Sequence, residues 1–358
     1  MNIIEATRSY ETWLARLTPL LREDLQLKHR EMRAELFPFL RATYYRWAQT
    51  FPEVCRELAH DPVVLAVGDL HVENFGTWRD VDGRLVWGIN DFDECYPLPF
   101  SHDLVRLAVS ANIAIEAGEM ALQHRRASSS ILAGYQDCLA AGGRPLVLVD
   151  KSTSLRTMAR ARLNHPELFW TKLFSHPPIR HPVPATALRG IRELLPDSAI
   201  QLKFLHRVAG LGSLGKQRFT GVGEWLGGQI AREAKALTLS ACHWAEGRAD
   251  AGQTQYELIL RLSVRCPDPL VAVRGPWLSR RLSPDCFRIR LASLPKIRDE
   301  QELLYSMGWE TANIHLGSAK PASLERHLRR KAKDWLHDAT KLMLDQTRRD
   351  WKHWANAR

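Results

Sequence analysis

Two short apolar runs, Val63-Val64-Leu65-Ala66-Val67 and Leu85-Val86-Trp87-Gly88-Ile89, each lead within two residues to an aspartate. Their length and β-branched content are those of buried strands, and Asp82-Gly83 ahead of the second run is a turn signal. The loops they deliver are Gly68-Asp69-Leu70-His71-Val72-Glu73-Asn74-Phe75 and Asn90-Asp91-Phe92-Asp93-Glu94. A chain with acidic loops on two neighbouring strand ends cannot be all-helical, and the rest of the pattern sets what surrounds those strands.

From Thr12 to Phe51 apolar residues recur at helical spacing (Leu14, Leu17, Leu20 and Leu21, then Leu36, Phe37, Leu40, Tyr44 and Trp47), so two opening helices are expected, with Pro38 in or near the first turn of the second. Ser101 to Gly118 reads as a helix capped by Ser101, and more helix follows to about Ala140. Prolines and histidines crowd between Arg144 and Pro196, which predicts a looping linker. Beyond Leu202 the character is β: Phe204 to Ala209, Arg218 to Trp225, Gln229 to Lys235, Tyr256 to Val264 and Val271 to Leu282 read as strands of a small antiparallel sheet. Helical periodicity returns from Asp299.

The chain of 358 residues is 45% apolar and 25% charged, which is globular rather than disordered composition. A formal net charge of +10 favours anionic partners; a solvated basic face accounts for it better than a nucleic-acid surface. The six cysteines show no metal-ligand spacing and fit reduced thiols. Neither a secretory leader nor eighteen consecutive apolar residues occurs, so no membrane span and a cytoplasmic location are expected.

Phosphoryl transfer needs a carboxylate that orients or deprotonates the acceptor hydroxyl, and oxygen ligands that hold magnesium against nucleotide phosphates. Asp69, with Asn74 five positions on and Asp91 at the other strand end, meets that need. Singly, each loop also fits turn-forming Asp and Asn. The pair, followed by Asp103-Leu104-Val105-Arg106-Leu107-Ala108, is the more specific signal, with Asp103 expected as a structural aspartate at a helix start.

Gly210-Leu211-Gly212-Ser213-Leu214-Gly215 is a literal G-x-G-x-x-G. A dinucleotide fold would place a helix straight after the third glycine, whereas Lys216 to Val222 reads as a strand. A glycine-rich hairpin whose backbone N–H groups approach phosphate oxygens fits better, making Gly210, Gly212, Ser213 and Gly215 candidate nucleotide-binding residues. The next strand offers Arg232 and Lys235 as phosphate partners on opposite faces; Lys235 is preferred, and a solvated cation is the plain alternative. His71 is expected to shape its loop and His315 to be a satisfied core histidine, while Arg280 and Arg281 suit phosphate contacts and solvated edge-strand positions equally.

Taken together, Gly68 to Gly76, Asn90 to Glu94, Asp103 to Ala108, Gly210 to Gly215 and Arg232-Glu233-Ala234-Lys235-Ala236 closely resemble the bacterial family catalogued as domain of unknown function 2252, over about Phe37 to Ser318. The first three blocks are also similar to the catalytic end of aminoglycoside and choline/ethanolamine phosphotransferases. That resemblance implies an α+β, protein-kinase-like fold of two lobes: a helical lobe over 1–196, a small antiparallel β lobe over 197–294, and C-terminal helices, 295–358, packing on the first. It also implies ATP and Mg2+ as cofactors, Asp69 as catalytic base, Asn74 and Asp91 as magnesium ligands, and Lys235 as the nucleotide lysine. Those phosphotransferases carry an H-G-D-x-H-x-x-N loop, and Val67 stands where that loop has its first histidine. The glycine loop and lysine follow the acidic loops instead of preceding them, an order that circular permutation would reconcile with two lobes. The expected activity is phosphoryl transfer from ATP to a small-molecule hydroxyl. A non-catalytic nucleotide-binding scaffold, and phosphorylation or adenylylation of a protein, are the alternatives.

Overall fold

The computed structural model describes residues 1–148, 155–156, 165–248, 252–286 and 299–357. Four helices open the chain where two were expected: α1 (Ile3–Leu17), α2 (Arg22–Ala34), α3 (Leu36–Ala42) and α4 (Tyr44–Val54). The first begins at a capping box, in which the Asn2 side chain accepts from the Glu5 N–H and Glu5 reaches back to the Asn2 N–H. Glu35 and Thr43 leave helical backbone and divide what periodicity alone runs together. Pro38 lies in the first turn of α3, where its missing N–H costs little.

Four short strands follow: β1 (Val63–Ala66), β2 (Phe75–Arg79), β3 (Leu85–Ile89) and β4 (Tyr96–Pro99). β1 pairs antiparallel with β4, and β2 with β3, so the strands that deliver Asp69 and Asp91 belong to separate sheets and are not paired neighbours. Helix α5 (Phe100–Glu116) starts behind Pro99, not at a Ser101 cap; the Ser101 hydroxyl instead donates to the Leu58 carbonyl at 3.4 Å. All of α5 from Phe100 to Ala114 is buried, which makes it the central rod of the helical region. It is followed by α6 (His124–Ala140) and by β5 (Leu146–Val147), which flanks β3.

The described residues of the expected linker include the helices α7 (Pro166–Phe174) and α8 (Ala185–Arg192), the first opened by a proline at its N-terminal position. Then come β6 (Lys203–Leu205), β7 (Arg218–Trp225) and β8 (Gly228–Ala236), two short helices α9 (Ala241–Ala245) and α10 (Tyr256–Leu262), and β9 (Val271–Arg274) and β10 (Trp277–Leu282). The five strands form one antiparallel sheet in the order β6-β7-β8-β10-β9. The segment expected as a strand over Tyr256 to Val264 is thus helix from Tyr256 to Leu262. Tyr256 and Ile259 are buried while Glu257 and Arg261 are exposed, a helical repeat that a seven-residue run rich in Leu and Ile leaves ambiguous in sequence. β10 is an interior strand, so Arg280 and Arg281 are not edge residues. The expected boundary near Leu294 lies outside the described residues.

Helices α11 (Glu300–His315), α12 (Pro321–Leu328) and α13 (Trp335–Asn356) complete the chain. The main core joins α1, α4, α5, α6 and these helices to β1 and β3. Two small clusters occupy opposite faces of the five-stranded sheet: Phe219, Ala234 and Trp277 with Ile191 of α8, and Val222, Ala231 and Leu282 with Leu173 of α7. No helix among the described residues is long and apolar enough to cross a membrane.

The closest helix pairing uses two glycines. A Cβ on Gly134 of α6 would lie 1.8 Å from the Tyr305 carbonyl oxygen, and one on Gly308 of α11 would lie 1.9 Å from that of Ile131. Gly134→Ala forces the helices apart and is expected to lower unfolding free energy by roughly 1–3 kcal/mol. An unchanged urea midpoint would show that the helices can separate at no cost.

Candidate active site

The Asp69 loop is held from beneath by buried polar groups. Asp103 Oδ2 accepts the Val67 N–H at 2.6 Å and Oδ1 the Gly68 N–H at 3.0 Å, and His315 Nε2 stands 3.1 Å from Oδ2. Tyr135 OH lies 2.9 Å from His315 Nδ1, and Ser110 Oγ accepts the Val72 N–H at 3.0 Å. His71 Nδ1 accepts the Glu73 N–H at 3.2 Å, closing the loop on itself. Gly68 has φ +82°, and a Cβ there would stand 2.3 Å from the Glu94 carbonyl oxygen, so the entry to the loop requires glycine. These contacts match the structural roles expected of Asp103, His71 and His315.

Asp69 Oδ1 is occupied by Arg106, which approaches through Nε at 3.0 Å and also through Nη2. Arg106 is fully buried, with its guanidinium 5.0 Å from the Tyr44 ring centre and 4.9 Å from that of Trp47, and it donates to the Leu40 carbonyl at 2.9 Å. Oδ2 faces the glycine-rich loop: a Cβ on Gly212 would be 3.3 Å from it. Burial raises the Asp69 carboxyl above the usual carboxylate range, with Arg106 and Arg41 opposing the shift.

Asn74 ties the two acidic loops together, its Nδ2 donating to the Asp91 carbonyl at 3.0 Å and the Asp69 carbonyl at 3.3 Å. Its Oδ1 is buried, and among the described residues it has no hydrogen-bond partner. Lys235 Nζ lies 3.0 Å from Asp91 Oδ1 and 2.6 Å from Asp93 Oδ1. Burial pulls this ammonium below the usual lysine range, against the pull of Asp91 and Asp93. The loop Gly210 to Gly215 connects β6 to β7 and contains a short 3-10 turn over Leu211–Ser213. Ser213 braces it, donating to the Gly210 carbonyl at 3.0 Å and accepting Arg218 Nη2 at 3.0 Å. Gly215 is fixed by its carbonyl, which accepts the Leu21 N–H at 2.8 Å.

Asp69, Asn74, Asp91, Gly210, Gly212 and Ser213 all line one inner cavity of about 40 Å³. A larger cavity of about 1370 Å³ opens on the other side and shares Arg41, Gly210 and Leu211 with it. Arg232 is not brought to this centre. It lies on the α8 face of the sheet, and its Nε donates to the Leu194 carbonyl at 2.8 Å.

Several charged residues near the site receive no catalytic or metal role from sequence. Asp93 is two positions from Asp91 and shares its lysine. Glu233 shares a strand face with Lys235 and is surrounded by Arg207 (2.7 Å), Arg218 (2.5 Å) and Arg280 (2.8 Å). Burial pushes Glu233 up, but the three guanidiniums more than reverse this and hold it well below the usual range. Arg281, the neighbour of Arg280, stands 3.5 Å from Asp268. The i+2 spacings of Asp93 and Glu233 are visible in sequence; the cross-strand register that sets Arg280 opposite Glu233 is not.

Among the described residues no three His, Cys, Asp or Glu side chains group as a metal site. Magnesium is usually held by one or two carboxylates, with phosphate oxygens and waters supplying the rest. Asp91 and the unsatisfied Asn74 Oδ1 suit that kind of partial shell.

Residues 20–162 match the model of a family described as an uncharacterized protein conserved in bacteria, DUF2252. The similarity therefore covers both acidic loops and the α5 block. The glycine-rich loop and Lys235, which the sequence resemblance also included, lie beyond the matched segment. No curated protein and no solved structure matches the chain.

Proposed function

We propose that the protein is a kinase-like phosphotransferase that uses ATP and magnesium, with its glycine-rich lobe placed after the acidic loops in the chain. The observation that carries this is the meeting of distant segments at the two acidic loops. Gly212 backs onto Asp69 Oδ2, and Lys235 reaches Asp91 Oδ1 at 3.0 Å. Kinase-like sites need a glycine-rich strand-loop-strand over the phosphates, a lysine on the third strand, and an aspartate and asparagine for the metal. Here β6, the loop and β7 are followed by Lys235 on β8.

In this proposal Asn74 and Asp91 would hold magnesium, which would neutralise charge on the phosphates, and Lys235 would pair with a phosphate oxygen. Asp69 accepts the acceptor's hydroxyl proton, its Oδ1 oriented by Arg106 and its Oδ2 directed at the reacting group. The larger cavity presents Trp78, Phe92 and Tyr256 for a base and, at about 1370 Å³, has room for a nucleotide and more.

Asp91→Ala is expected to weaken magnesium-dependent ATP binding at least about tenfold, with circular dichroism unchanged because Lys235 keeps Asp93 as a partner. Calorimetric titration with ATP, with and without magnesium, is the test. Full-strength binding by the variant would remove Asp91 from the metal site. Binding by the native chain with no phosphate release and no transfer to any acceptor would favour the scaffold alternative.

A further inference from the structure

Two lysines line the inner cavity. Lys28 comes from α2 and Lys216 from the residue after the glycine-rich loop, and they are 4% and 5% exposed respectively. Among the described residues neither ammonium has a hydrogen-bond or ion-pair partner, whereas the buried cations around them do, Lys235 through Asp91 and Arg106 through Asp69. An ammonium without a partner and largely removed from water is unfavourable, and these two also repel each other: burial pulls Lys28 down to about 8, with Lys216 adding to the shift and Glu11, Glu94 and Asp69 opposing it. The pair is held in place by backbone. Leu20 and Lys216 form an antiparallel bridge, and the Leu21 N–H donates to the Gly215 carbonyl at 2.8 Å, which docks the start of α2 on the end of the glycine loop.

A multiply charged anion between the two lysines would relieve both costs at once. The space, about 40 Å³, holds a few water-sized groups, which suits one tetrahedral oxyanion and excludes a nucleoside. Asp69, Asn74, Asp91, Asp93 and Glu94 form part of the same wall, where Arg106 pairs with Asp69 and Lys235 with Asp91 and Asp93.

We propose that Lys28 and Lys216 form an oxyanion subsite that binds a phosphoryl or phosphate group beside Asp69. Its oxyanion is either the terminal phosphoryl group of the nucleotide or a phosphate carried by the acceptor, and assignment to either source rests on the phosphotransferase proposal. The subsite itself rests on the two lysines alone.

The test titrates the full chain with inorganic phosphate, with ADP and magnesium, and with a non-hydrolysable ATP analogue and magnesium, for the native protein, Lys28→Met, Lys216→Met and Lys28→Arg. Native protein is expected to bind phosphate and to melt at higher temperature in its presence. Each methionine variant is expected to lose about tenfold or more in phosphate affinity, and Lys28→Arg to retain most of it. Without phosphate, Lys28→Met is expected to melt higher than the native chain, because an uncompensated buried charge is gone; a lysine with a structural partner would give the opposite sign. A loss confined to the ATP analogue relative to ADP marks the terminal phosphoryl as the source. Lysine-dependent phosphate binding that persists with the analogue bound marks the acceptor's phosphate. No phosphate binding by the native chain, or affinities of the methionine variants within twofold of native, overturns the subsite even if nucleotides bind. Lysine-dependent phosphate binding without any nucleotide binding keeps the subsite and overturns the nucleotide proposal.

Discussion

Asp103→Ala is expected to destabilise the fold by about 3–5 kcal/mol, the cost of removing one member of a buried charged network. Asp103 and His315 are fully buried, and the carboxylate receives the Val67 and Gly68 N–H groups at 2.6 and 3.0 Å as well as His315 at 3.1 Å. Alanine leaves two backbone donors and an imidazole without their acceptor, in a region closed to water. The same network sets an acid limit. Burial by itself would raise the Asp103 pKa, but hydrogen bonds and charge from His102 and His315 reverse this and leave it far below the usual carboxylate range. A folded-state pKa below the unfolded one contributes stability that is complete above about pH 4 and is lost progressively as pH falls below it. Urea unfolding at pH 7 and at pH 4 to 2 checks both statements. The variant should have a lower midpoint at pH 7 and a flatter pH dependence in acid; a loss under about 1 kcal/mol at pH 7 would mean the loop is held by other contacts.

In the proposed phosphoryl transfer, with Asp69 as its general base, Asp69→Asn is expected to reduce turnover of magnesium-ATP by about 10²- to 10⁴-fold, with ATP affinity little changed. The amide keeps an oxygen for Arg106 but cannot take a proton from an acceptor. It also removes the charge opposite a guanidinium that is fully buried between Tyr44 and Trp47. A fall in melting temperature should accompany the loss of rate, so rates are compared well below the variant's unfolding transition. Retained turnover would show that Asp69 has no part in proton transfer and serves Arg106 alone.

Much of the local structure could be read without coordinates because it depends on neighbours in the chain. The β-branched runs at Val63 and Leu85 form strands, the Gly68 to Phe75 loop follows the first of them, and the segments after Asp299 are helical. Short apolar runs were harder. Tyr256 to Leu262 carries enough Leu and Ile to satisfy either period, and burial of Tyr256 and Ile259 against the core decided for helix. The opening helices broke at Glu35 and Thr43, residues with no strong signal of their own.

The amino-acid order by itself determined which side chains were available for phosphate and metal chemistry: Asp69, Asn74, Asp91, a glycine-rich loop and Lys235. Only the tertiary structure decided which of them meet. Strand alternation separates Arg232 from Lys235, but no one-dimensional pattern says which face looks at the acidic loops, because that depends on how the five-stranded sheet packs against the helical core. Lys28, 188 positions from Lys216 and without a motif, enters the site through the docking of α2 on the glycine loop. Such pairings are made by burial and by long-range backbone hydrogen bonds, and the energies that enforce them depend on the whole packed chain.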